Sequence, residues 1–331
     1  MRLAAILLTL AFVTAPSPVP ARELNISHQW PAKTDARDRA ARLFAEEVQL
    51  RAPGISFKIH PQLALKIGAE EQFDALQSGA LEMSVYVLPY AVKKVPEFSL
   101  AVLPGLYPSL DTVRELKGSK VLEHLQDVAH NNGVHILAWW WVPGGFVTRN
   151  RQIAGPDTVK GLKLRGGDRL FDLMLKKAGA TPVELHSNEI HAAMASGRLD
   201  GALTSYETFV STKIYEHGKY FTAGSPGIWM FLNTLLISKP VWDSLSPVEQ
   251  EAFEAAAEIS EEFFAATQRD AERRFIDTFT KAGAKYYRFT KEDYLAWLSV
   301  AQQTAWPEYL AISPAARRML YDTIETVLNR R

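Results

Sequence analysis

Cysteine is missing from all 331 residues, which excludes disulfides and zinc sites built on thiolates. Net charge is missing as well, because 37 Lys and Arg balance 37 Asp and Glu. A one-signed field, the usual footprint of nucleic-acid or anionic-membrane binding, is therefore not available, and no nucleic-acid partner is expected. No stretch reaches the roughly 18 to 20 consecutive apolar residues of a membrane span. The G-x-S-x-G elbow, the Walker loop and G-x-G-x-x-G are all absent. His186 to His191 (HSNEIH) has the spacing of neither H-E-x-x-H nor H-x-x-E-H, and Asn188 reads as a helix cap. No metal and no cofactor are assigned. Carboxylate pairs such as Glu70-Glu71 and Glu261-Glu262 fall on solvated helix faces, so a secreted enzyme is the weaker reading.

The 47% hydrophobic content supports one large or two ordinary domains with real cores. Met1-Arg2, the apolar run Leu3 to Val13 and the small-residue site Val19-Pro20-Ala21 together read as a cleavable signal peptide over residues 1–21. The mature chain is then expected to be exported.

Strand-like alternation marks Glu23 to Ser27, Ile55 to His60 and Leu81 to Val87, with helical spacing between them. The loop His28-Gln29-Trp30-Pro31 would sit at a strand's carboxyl end, where open α/β sheets bind ligands. Two segments echo each other: Asp74 to Glu82 and Ala192 to Asp200 each read as a helix end, a glycine cap (Gly79, Gly197) and a strand. They fit two lobes built from similar units. Leu110 to His130 is helical in pattern. Val134 to Val142 is a strand whose Trp139-Trp140-Trp141 must alternate between faces, and Pro143-Gly144-Gly145 looks like a crossing between lobes.

Gly155 to Leu185 carries the main candidate. Leu162 to Arg165 alternates as a strand, Gly166-Gly167 allows close backbone approach, and Asp168 caps a helix facing inward with Leu170, Leu173 and Met174. A guanidinium fixed there suits a carboxylate through two parallel charge-assisted hydrogen bonds, with a merely structural arginine as the plain alternative. Thr204 and Ser205 follow a further strand at its carboxyl end. Asn233, isolated in the apolar run Ile228 to Ser238, is either a satisfied core amide or a ligand contact. Ser246-Pro247-Val248-Glu249 is a capping box opening a helix that can run unbroken to about Gly283.

From the turn at Gly155 through Gly161-Leu162-Lys163 and Arg165 to Asp200-Gly201, the chain resembles the solute-binding proteins of TRAP (tripartite ATP-independent periplasmic) transporters, and the likeness covers nearly the whole mature chain. The resemblance implies an α/β periplasmic binding protein with two lobes around a cleft, joined by crossing strands and a long spanning helix. It implies lobe I from residues 22–142 plus about 229–265, and lobe II from 143–228 plus about 266–331, with helix 247–282 spanning both. It also implies Arg165 as ligand anchor, cleft positions for Trp30, Tyr86, Tyr90 and one of the three tryptophans, taken as Trp140, and membrane permease subunits as partners in the periplasm. Departures bear on the ligand. "DG" is followed by Ala202-Leu203-Thr204 rather than "QEN", so Thr204 or Ser205 must replace an asparagine. The aromatic before the "SE" cap is Ser187, and the second arginine of sialic-acid-type members falls near Gly145, where no charge stands. A small organic acid is expected, its identity open; a secreted enzyme acting on a carboxylate and a periplasmic ligand sensor are the alternatives.

Overall fold

The computed structural model describes residues 22–328, so the expected signal segment lies outside the described residues. The first half runs β1 (Arg22–Ser27), α1 (Ala36–Arg51), β2 (Ile55–His60), α2 (Gln72–Ser78), β3 (Met83–Val87), α3 (Leu110–Arg114), α4 (Lys120–Asn131) and β4 (Val134–Thr148). Then follow β5 (Lys163–Arg165), α5 (Arg169–Lys177), β6 (Thr181–Pro182), α6 (Ile190–Ala195), β7 (Gly201–Ser205), α7 (Tyr206–Ser211) and β8 (Tyr220–Ala223). The chain closes with β9 (Met230–Ser238), α8 (Lys239–Asp243), α9 (Pro247–Arg269), α10 (Ala271–Lys281), β10 (Lys285–Arg288), α11 (Lys291–Gln303), α12 (Ala305–Leu310) and α13 (Pro314–Leu328).

The strand order β2-β1-β3-β9-β4-β7-β5-β6 shows how the lobes are joined. The first part of β4, to Pro143, pairs antiparallel with β9; the rest pairs with β7 on one edge and β8 on the other. One strand thus belongs to both halves of the sheet, and it passes straight through the expected crossing. Gly144 and Gly145 make this possible: a Cβ on Gly144 would stand 2.1 Å from the Thr204 carbonyl oxygen, and one on Gly145 would stand 2.2 Å from that of Thr222. Only glycine lets both neighbouring strands approach so closely.

Helix spacing breaks where side chains or glycine interrupt it. Leu110 to His130 is not one helix, because Gly118 takes φ +71° between α3 and α4. The expected helix 247–282 opens with the Ser246–Glu249 capping box but is interrupted at Asp270. There the Arg274 guanidinium donates to the Thr267 carbonyl (3.0 Å), competing for an acceptor of the helical ladder. α9 lies on α1 and β4 in the first lobe, while α10 lies on α7, β8 and β10 in the second, so two helices in line make the span. The C-terminal helices strap both sides: α12 packs on α5, and α13, expected with the second lobe, packs on α4 and the turn Pro96–Val102. Among the described residues no helix is long and apolar enough to cross a membrane.

In the first lobe β4 is an edge strand, and side chains take its outward N–H groups. Gln126 accepts from Ile136 N–H (3.1 Å) and Glu261 from Trp139 N–H (2.8 Å). Burial pushes the Glu261 carboxyl up to about 7, against the opposing pull of that N–H and of Lys117. Because the folded value exceeds the ordinary one of 4.5, this group favours folding below 4.5 and the contribution is lost as pH rises through 7. Glu261→Gln keeps an acceptor without the charge, so it is expected to stabilise the protein by about 1–2 kcal/mol at pH 8 and little at pH 5. Thermal unfolding at the two pH values checks this; an unchanged pH dependence would remove Glu261 as its source.

Candidate functional site

Parallel pairing of β5 with β7 sets Arg165 opposite Ala202, at the carboxyl end of its strand. The side chain is only 2% exposed. Its Nε donates to the Leu185 carbonyl (3.1 Å), Nη1 to the Leu203 carbonyl (3.0 Å) and Nη2, at 3.5 Å, to the Tyr90 hydroxyl. These contacts fix the plane of the guanidinium and use three of its five N–H groups. Arg165 forms no ion pair among the described residues. Gly167 takes φ +97°, and a Cβ there would lie 2.5 Å from Arg165 Nη1, so the room expected for a ligand at the glycine pair holds the guanidinium itself.

Two carboxyls stand near this cation without forming a direct ion pair with it. Asp168 caps α5 through Leu170 N–H (2.7 Å), and burial pushes it up to about 7. Burial likewise raises Asp172 to about 6, although the charge of Arg165 and a bond from Gly166 N–H oppose the shift. One oxygen of each has no hydrogen-bond partner. A buried cation with no direct ion pair is costly, and an incoming carboxylate relieves that cost.

The other sequence candidates separate into groups. Asn233 lies between Val87 and Trp140 in the sheet register, is 1% exposed, and bonds nothing through its side chain among the described residues. Trp140 stacks on Phe264 at 5.3 Å with its indole N–H unpartnered, and the Trp30 indole N–H is unpartnered too. Thr204 is buried, and its hydroxyl makes no hydrogen bond among the described residues. These groups retain bonding capacity. Ser205 does not: its hydroxyl caps α7, accepting from Thr208 N–H and bonding the Thr208 hydroxyl. The Tyr86 hydroxyl donates to the Glu70 carbonyl (3.3 Å), and the space beside Gly145 is filled by β8. Trp139 and Trp141 line a cavity of about 1050 Å³ between β4, α4 and α9, whose lining does not include Arg165.

Contacts between the lobes join the expected cleft candidate Tyr90 and the His28–Pro31 loop to partners that sequence pattern did not single out. Gln29 Nε2 donates to Ser187 Oγ (3.3 Å), and Ser187 N–H donates to the Tyr90 hydroxyl (3.1 Å). Beside them the start of α1 docks on α7: Ala36 N–H reaches Glu207 (2.8 Å), Arg37 reaches Thr208 (3.0 Å), and the Ser211 hydroxyl donates to Asp35 (2.7 Å). Asp35 and Arg37 form a buried ion pair at 2.7 Å, and the guanidinium lies 4.1 Å above the Trp30 ring. Burial alone would raise Asp35, but the Arg37 charge holds it below the ordinary carboxylate range; burial and the Asp35 charge push Glu207 up. The lobes are therefore closed on one another. Removing one of these bonds should shift the balance toward opening: Tyr90→Phe is expected to weaken acid binding about fivefold, the worth of roughly 1 kcal/mol. Titration calorimetry checks this, and unchanged affinity would detach the hydroxyl from closure.

His186, not Asn188, caps the turn before α6, with Glu189 completing the box. His28 is buried with Nε2 3.0 Å from Asp38 and Nδ1 accepting from Trp30 N–H (3.3 Å), so neither ring nitrogen remains to activate a nucleophile.

Comparison with known proteins agrees with this geometry. A family model described as bacterial extracellular solute-binding protein, family 7, matches residues 26–311. A solute-binding protein of Albidiferax ferrireducens is 34% identical over 303 residues, covering 90% of this chain and 89% of that protein. A C4-dicarboxylate-binding periplasmic protein of Rhodobacter capsulatus is 22% identical over 234 residues, 70% of each chain. The crystal structure of a TRAP periplasmic solute binding protein from Rhodoferax ferrireducens with bound malonate superposes with a TM-score of 0.90 at 34% identity, covering 93% of this chain and 99% of that one. A glucuronate-bound TRAP protein from Chromohalobacter salexigens shares the fold, with a TM-score of 0.84 at 20% identity over 92% of this chain and 99% of its own. This chain belongs to family 7 of the bacterial extracellular solute-binding proteins, the binding proteins of TRAP transporters.

Proposed function

We propose that the protein captures a small organic acid outside the cytoplasmic membrane and delivers it to the permease subunits of a TRAP transporter. The observation that carries this reading is the 2%-exposed guanidinium of Arg165, held by two backbone carbonyls and lacking an ion pair among the described residues. Arg165 receives the carboxylate. Asn233, Thr204 and the indoles of Trp30 and Trp140 meet the rest of the molecule. The malonate and glucuronate in the related structures are carboxylates, and the Rhodobacter capsulatus relative is named for its periplasmic location. Export to the periplasm accords with the N-terminal signal pattern. Closure follows from differential affinity: an acid that touches both lobes binds only the closed form tightly, so it shifts the population toward that form.

A binding protein also returns its ligand unchanged. Thermal-shift screening against carboxylates should find at least one acid that stabilises the fold, and mass spectrometry should recover that acid intact after prolonged incubation. Conversion of the acid would instead favour a secreted enzyme, and a screen in which only uncharged solutes stabilise the protein would overturn the proposal.

A further inference from the structure

The second lobe carries another group of side chains with unused binding capacity, outside the cleft. His191 lies on α6, and Glu216 and His217 lie at the end of the turn Ile214–Glu216 that precedes β8. Their three potential ligand atoms all lie within 4.8 Å of one another. His191 Nε2 is 2.9 Å from a Glu216 oxygen, and the two imidazole rings are 4.6 Å apart, edge to face. Independently, His217 Nε2 is shielded from solvent and has no hydrogen-bond partner. An imidazole nitrogen in that state normally finds a donor or an ion.

Two imidazoles and one carboxylate are the donor set of zinc sites that keep a fourth position open to water, and harder ions such as calcium prefer all-oxygen sites. We propose that His191, Glu216 and His217 bind one divalent transition-metal ion of the zinc class. The ion ties α6 to the turn before β8. Because the turn Ser187–Glu189 leads into α6, the ion also stiffens the segment that meets Gln29 and Tyr90 across the cleft. The HSNEIH spacing concealed this site, since His186 turns instead toward Glu70 (3.3 Å) and the second histidine finds its partners 25 and 26 residues further on.

Calorimetric titration of the chelator-treated whole protein with zinc tests the site. The expected result is one ion per chain, with affinity reduced about 100-fold or more in His191→Ala and in His217→Ala. Glu216→Gln weakens it less. His130→Ala, which alters the separate stacked pair His130–His135, leaves zinc binding unchanged. X-ray absorption of the zinc-loaded protein should show two imidazole ligands. Absence of stoichiometric binding, unreduced affinity in either histidine variant, or loss of binding in His130→Ala would each overturn the assignment.

Discussion

Arg165→Ala is expected to weaken binding of an organic acid by about 100- to 1000-fold, because truncating one partner of a desolvated charge pair costs about 2–5 kcal/mol. The fold should survive. The guanidinium hydrogen-bonds two backbone carbonyls and a tyrosine hydroxyl and makes no direct ion pair, and Asp172, which loses the nearby positive charge, can take up a proton. Circular dichroism and thermal unfolding establish folding, and calorimetry reads the affinity. Arg165→Lys should be nearly as damaging. An ammonium cannot donate in one plane to Leu185, Leu203 and a ligand together, as the planar fork does. Near-normal affinity in either variant would reduce Arg165 to a structural role.

The other large effect is expected at the junction of α1 and α7. Asp35 is wholly buried, caps α1 through Arg37 N–H (2.9 Å), pairs with the Arg37 guanidinium and accepts the Ser211 hydroxyl from the opposite lobe. Asp35→Ala removes all three interactions and leaves a buried cation, for which a loss of about 3–5 kcal/mol is usual. The double variant Asp35→Ala/Arg37→Met should recover much of it, since no charge is then left unpaired. Thermal and denaturant unfolding of the two single variants and the double variant provide the measurement. A loss below about 1 kcal/mol in Asp35→Ala would mean that the pair contributes nothing net, as exposed pairs often do.

What the sequence discloses and what it hides follow from distance along the chain. Arg165 is visible because strand, glycine pair and Asp168 cap lie within a few residues, and Gly79 and Gly197 cap their helices with φ of +75° and +78° as their spacing suggests. The capping box at Ser246 is equally local. By contrast, Asp35 and Arg37 meet Ser211 and Thr208 from 176 and 171 residues away, and no periodicity encodes such a partner. The break at Asp270 is set by a side chain seven residues from the carbonyl it takes, where apolar spacing alone continues smoothly. The resemblance sets Gly145 at a ligand-contacting position, but the strand pairing that brings Thr222 against it is a tertiary event. Ser205 carries a local signal of a different role. It stands at the N-cap of a helix with Thr208 three residues on, a local signal that its hydroxyl is already taken.

The most direct measurement is a crystal structure of the protein with the acid selected by thermal shift. The account predicts a carboxylate between the lobes, with at least one oxygen about 2.7–2.9 Å from a guanidinium nitrogen of Arg165 and the remainder of the molecule against Asn233 and Trp140. Electron density for the acid in the cavity between β4, α4 and α9, with Arg165 still unpaired, would contradict it.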